Sequence, residues 1–382
     1  MDRFSADLDR QLGVWLRDEA TARASAGLIE AVFARTSQTR QARRPWSLGL
    51  GGGQWLPRLA PVLGGAAVAV IVLAIGVSVL QPRTGPGGTP TPGPSPSVRA
   101  VSTPQAALLG NASALRLPLG NDFAPIDVVG AFDSIWVAGI HADQVRRLDP
   151  TTMAEVARID VTGPAWFLEA DGALWVTQQV GVGLTRIDPD ANTVVGHVGD
   201  VPPCGAPVFA LGSIWASACD AGVYLRIDPA TTAITDTIPA QGHRWVVFAA
   251  GDLITLGTDG LARLDPAARM FTGVPGSLGG DAELIGSDGA TVWLRLGNDV
   301  VRIDPSDGHT VATFPYSSAS SVTFSNGHAW LSVNFVGIVE IDLATNTVMR
   351  TIPLPAADIT REVGSALWTT DFTNADLWRI EP

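Results

Sequence analysis

Residues 132–161 read FDSIWVAGIHADQVRRLDPTTMAEVARIDV. Within this stretch IWVA and VRRLD alternate apolar and polar residues, the pattern of half-buried strands. The intervening GIHAD is a hairpin loop. LDPTT is a turn with a mechanism: the Asp149 carboxylate can accept from backbone N–H groups ahead of it, and Pro150 presets φ at the first turn position. A further strand follows (AEVARIDV), and another precedes the tryptophan (APIDVVGA). One unit therefore holds four antiparallel strands.

The unit recurs. Asp149, Asp188, Asp228, Asp265, Asp304, Asp342 and Glu381 lie 39, 40, 37, 39, 38 and 39 residues apart. Trp136, Trp175, Trp215, Ile254, Trp293, Trp330 and Trp368 keep step, with gaps of 39, 40, 39, 39, 37 and 38. The turn returns as IDPDAN, IDPATT, LDPAAR, IDPSDG and IDLATN. A period near 40 with four strands per unit predicts an all-β, seven-bladed β-propeller. Blade seven reaches only its third strand at WRIEP. Residues 114–119 (ALRLPL) are expected to supply its fourth and close the ring, removing two exposed edges.

Four regions follow: 1–58, 59–80, 81–105 and 106–382. Residues 59–80 are 22 residues without a charge, enough for one transmembrane helix. Five arginines (Arg35, Arg40, Arg43, Arg44 and Arg58) precede the span closely, and only Arg83 and Arg99 follow it closely. That bias predicts a cytoplasmic N-terminus and an extracytoplasmic propeller, with the cell membrane as a partner. Residues 81–105 are rich in Pro and Gly and read as an extended linker. In 1–58, Phe4, Leu8, Leu12 and Trp15 fall at helical spacing, as do Leu28, Ile29, Val32 and Phe33. This cytoplasmic helical segment is either a docking element, for a cytoplasmic regulator, the membrane surface or a second copy, or a non-signalling stub. Beyond the span, 16 Arg stand against 31 acids. A domain so acidic lacks the cationic contacts that nucleic-acid binding requires.

The two cysteines, Cys204 and Cys219, precede the first strand of blade three and join its second and third strands. These connections emerge on one face, so a disulfide is the expected reading in an oxidising compartment.

The repeat IWVA…VRRLDPTT…EVARIDV resembles the YVTN and virginiamycin B lyase-like propellers. The resemblance covers residues 114–382 and implies the fold. That superfamily includes a lyase acting through a metal and a Glu-x-His pair. No Glu-x-His occurs in this sequence, so no lyase activity, cofactor or metal is carried over. The layout of short helices, one span and an outer domain also resembles membrane-bound anti-sigma regulators. Residues 1–58 contain no His or Cys, so the zinc motif of many such regulators is missing.

In propellers, ligands meet the face built from loops that lead into the innermost strands and loops that join strands two and three. His141, Asp143, Asp220, His243, Arg244, Asp259, Glu283, Asp299, Asp358 and Asp371 map there. The periodic tryptophans read as packing between blades. Trp166 and Trp245 break the period and fall early in innermost strands, with Phe167 and Arg244 beside them. These four are candidates for ligand contact. The expected function is a non-enzymatic module binding an unidentified extracellular or periplasmic ligand or protein. A lyase or hydrolase using His141 and His243, and a structural envelope scaffold, remain open alternatives.

Overall fold

The computed structural model describes residues 102–179, 183–199, 203–276 and 282–382. The segments expected to be helical (1–58), membrane-spanning (59–80) and mostly linker (81–105) lie outside these residues up to position 101. Among the described residues no helix is long and apolar enough to cross a membrane. All regular structure there is strand, 29 in number.

The strands form seven antiparallel sheets. Blade one holds Pro125–Ala131, Ser134–Gly139, Gln144–Leu148 and Glu155–Asp160, paired in sequence order. Blades two to six repeat that order. First strands of successive blades touch one another around the ring and line its axis, and the seventh touches the first. Blade seven takes its fourth strand, Ala112–Pro118, from the other end of the domain. It pairs with Asp376–Glu381 in the register Ser113↔Glu381 to Pro118↔Asp376. A fifth strand, Gln105–Leu109, pairs outside it. The Pro/Gly-rich neighbourhood had marked Gln105 as the end of a linker. It is instead the first residue of a hairpin, because the next residues are apolar enough to pair.

Each second strand is buried on both faces, and its period of two sends alternate side chains to opposite neighbours. Ile135 and Val137 join the cluster between blades seven and one; Trp136 and Ala138 join the one between blades one and two. Seven such apolar clusters occupy the seven blade interfaces. Every periodic Trp is a wedge in one of them. Five are at most 1% exposed, and Trp330 is 4%.

Directly across the ladder from most of these tryptophans stands an arginine: Trp136↔Arg147, Trp175↔Arg186, Trp215↔Arg226 and Trp293↔Arg302. The guanidinium carbons lie 4.9, 5.9, 5.6 and 5.8 Å from the ring centroids, within cation–π range. In blade six the opposite residue is Glu340, and Arg350 from the fourth strand covers Trp330 instead.

Two of these arginines also clasp the next blade. Arg147 donates to the Pro189 carbonyl and to Asn192 Oδ1, 2.5 and 2.9 Å away. Arg302 does the same to the Leu343 carbonyl and Asn346 Oδ1 at 2.9 and 2.8 Å. Their targets are the Asp-x turns. In each, the Asp carboxylate accepts from N–H groups ahead of it, as Asp149 does from Thr151 and Thr152 at 3.0 and 2.7 Å. These bonds hold the Asp149, Asp188, Asp228, Asp304 and Asp342 carboxyls below the ordinary range. Four residues on, the chain enters the left-handed region at Met153, Asn192, Thr232, Arg269, Gly308 and Asn346, closing the turn as at a helix end. The aspartates are turn-makers.

Candidate functional site: an axial cavity

A cavity of about 870 Å³ opens along the ring axis, within the range of small-molecule sites. Every blade contributes to it: Pro125 and Ile126, Trp166, residues 204–206, residues 245–247, residues 283–288, residues 320–324, and Asp358, Ile359 and Arg361 with Phe372.

Of the residues singled out from sequence, Trp166, Trp245, Glu283 and Asp358 meet in this wall. Trp166 is half-buried, its N–H bonded to Thr177 Oγ1 at 3.0 Å. Trp245 lies against the bare face of Gly205, where an added Cβ would sit 2.8 Å from its ring. Glu283 is ion-paired with Arg295.

The others are placed elsewhere. Phe167 is 7% exposed and belongs to the cluster between blades one and two. Asp143 staples a connection between blades, accepting from the Gly163 N–H at 2.7 Å. His243 stacks on Phe271 of the outermost strand of blade four, ring centroids 4.4 Å apart, and contacts Thr255 Oγ1 at 3.1 Å. Burial pushes the His243 imidazole down, against the pull of Asp259. Arg244 acts through its carbonyl, which accepts from the Ser217 and Tyr224 hydroxyls. Asp220 and Asp259 are exposed and Asp299 half-buried, all three outside the cavity wall. Asp371 is buried and caps its own turn through Asn374. His141 is exposed and meets Phe372 edge-on at 5.7 Å, so it belongs to the cavity rim; no contact joins it to His243.

Three features of the wall escaped the sequence reading. Asp127, 1% exposed, links three blades: it accepts from the Phe167 N–H of blade two at 3.0 Å and pairs with Arg361 of blade seven at 3.3 Å. Burial pushes its carboxyl up, although Arg361 and the N–H donors oppose this. Phe372 projects from the last hairpin, 42% exposed. Ser320 and Ser321 donate to the Asp358 carbonyl at 2.7 and 3.0 Å. None of these is periodic, and the Asp127–Arg361 pair is assembled only by ring closure.

Cys204 and Cys219 are bonded, with Cα atoms 5.6 Å apart across 15 residues of chain. Cys204 lies in the cavity wall next to Gly205, so the bridge braces the surface on which Trp245 rests. Replacing both by serine is expected to cost about 3 kcal/mol, the entropy of a loop this long. Denaturant unfolding of the full chain, with and without reductant, checks it. An unchanged midpoint on reduction would contradict the expectation.

The single group of three metal-capable side chains among the described residues is Asp304, Asp307 and His309. It lies in a blade-five turn outside the cavity, and its carboxylates already accept from the N–H groups of Ser306 and His309.

No protein-family model and no curated protein matches this chain. Solved structures do share its fold. Virginiamycin B lyase from Staphylococcus aureus superposes with a TM-score of 0.58 at 14% identity, over 71% of this chain and 100% of the other. Hydrazine synthase from Kuenenia stuttgartiensis gives 0.56 at 12%, over 69% and 97%. The extracellular domain of a protein described as a hybrid two-component system of B. thetaiotaomicron gives 0.56 at 14%, over 74% of this chain and 43% of that one. At such identities the likeness is one of fold: this chain carries a propeller similar to the virginiamycin B lyase-like seven-bladed rings.

Proposed function

We propose that this chain is a non-enzymatic binding module. Its propeller receives a ligand or protein segment at the axial cavity, and residues 59–80 hold it outside the cell membrane. The observation that carries the binding reading is the cavity itself, to which all seven blades contribute and which Trp166, Trp245 and Phe372 line. Loops on a rigid ring vary without disturbing the fold, which suits recognition. The uncharged span and the arginines before it carry the membrane reading. A propeller of this fold also forms the extracellular domain of a protein described as a hybrid two-component system. The apolar residues at helical spacing in 1–58 support that segment as the contact for a cytoplasmic regulator.

The lyase or hydrolase reading built on His141 and His243 would need one of them beside a carboxylate in the cavity. His141 meets Phe372 and His243 stacks on Phe271, so the geometry favours binding.

The test is thermal unfolding of the full chain against cell-wall fragments, small cyclic peptides and divalent metals. A ligand at 100 times its dissociation constant adds about 2.7 kcal/mol. A shift that Trp166→Ala or Trp245→Ala removes supports the cavity. A metal-dependent shift removed by His141→Ala would revive the enzyme reading, and no shift with any of them would count against small-molecule binding.

A further inference from the structure

The charged groups in the cavity wall are not alike. Glu283 is matched by Arg295, and Asp288 by Arg302. Arg361, the only cationic side chain in the wall among the described residues, is matched by buried Asp127. Asp358 has no cationic partner among the described residues. It is nevertheless rigidly held. Its N–H donates to the Thr370 carbonyl at 2.9 Å, and its own carbonyl accepts from two serine hydroxyls of blade six. Its Oδ2 accepts from the Phe372 N–H at 2.7 Å, and no described group donates to Oδ1. Burial and the nearby Asp371 both push this carboxyl up, which is how a carboxylate short of a counter-charge behaves.

We propose that the cavity takes an organic cation, a protonated amine or quaternary ammonium on an apolar body. Asp358 is its counter-ion, and the rings of Phe372, Trp166 and Trp245 are its walls. The inference rests on the cavity being the binding site. Aromatic faces attract such cations directly. An anion would find in Arg361 a cation whose charge Asp127 already balances and whose guanidinium already donates to the Thr360 carbonyl. It would also meet the field of a domain with 31 acids against 14 arginines in residues 106–382, which draws cations in and turns anions away. A divalent metal ion needs several oxygen ligands together, and Asp358 belongs to no such group among the described residues.

The experiment titrates the full chain with phenethylamine and tetramethylammonium, following tryptophan fluorescence and the unfolding midpoint. Phenylacetate, phenethyl alcohol and calcium chloride serve as comparisons. The expected result is saturable binding of both cations. Asp358→Asn weakens it by about tenfold or more, as loss of a charge partner does, without changing the response to the alcohol. Phe372→Leu, at an exposed position that leaves folding intact, weakens the cations as well. Binding of phenylacetate or calcium in place of the cations overturns the proposal while leaving the cavity as a site. So does cation binding that neither substitution alters. If no compound binds, the cation proposal fails, and the cavity reading stands or falls with the cell-wall and peptide titrations.

Discussion

Trp136→Ala is expected to lower the unfolding free energy by about 3–5 kcal/mol, read as a shifted guanidinium midpoint with little change in slope. The indole is fully buried between blades one and two, against Phe167, Leu174 and Val176 of the second blade. Its Nε1–H donates to the Ala131 carbonyl at 2.9 Å, an acceptor that alanine would leave buried without its partner. Behind the ring stands Arg147, bound to Ser134 Oγ and to the Asp-x turn of blade two. Removing the indole takes away the surface that orients this clasp, so a cavity and a loosened ion act at one site. Trp166→Ala provides the contrast. That ring is half-buried in the channel wall, and its loss should cost about 1 kcal/mol or less while impairing ligand binding. A cost below about 1 kcal/mol at Trp136 would mean that the periodic tryptophans are not the wedges between blades.

The same contrast shows what the sequence made legible. Trp136 and Asp149 recur because every blade solves one packing problem, the interface with the next blade, in the same way. Periodicity therefore revealed the blade count, the strand order, the turn role of the aspartates and the closing strand. Arg147 stood in the same repeat, yet its role depends on register: only cross-strand pairing puts it on Trp136. The cavity was legible only in part. Trp166 and Trp245 announced themselves by breaking the period. Asp127, Arg361 and Phe372 carry no such mark, because they come from blades one and seven, more than 230 residues apart in sequence, and meet only when the ring closes. His243 illustrates the converse. Its loop position suggested a ligand face, but Phe271 on the outermost strand of blade four offers the imidazole a flat partner, and the ring stacks there.

Removing the closing strand is the more drastic experiment. A chain beginning at Leu119 is expected to lose its cooperative unfolding transition and to elute as aggregates in size-exclusion chromatography. The strand Ala112–Pro118 serves two interfaces at once: Ala112 and Ala114 join the cluster between blades six and seven, whereas Leu117 joins the one between blades seven and one. A ring in which each blade touches only its neighbours depends on every interface, and this deletion weakens two adjacent ones. It also uncovers the backbone of Asp376–Glu381, an unpaired edge open to other chains. Arg116 goes with the strand, stripping Asp376, whose side chain is 2% exposed, of its partner at 2.6 Å. The Arg116 side chain is itself 38% exposed, so the lost pair adds to the cost of the two weakened interfaces without dominating it. A chain beginning at Gly110 separates the causes, because of the propeller's strands it loses only Gln105–Leu109, where Leu108 is 76% exposed. That chain should unfold within about 1 kcal/mol of the parent. Leu117→Ala should fall between the two, at about 2–5 kcal/mol. Should the chain from Leu119 unfold at the parent's midpoint, blade seven would be stable with three strands, and ring closure would not be what holds the propeller together.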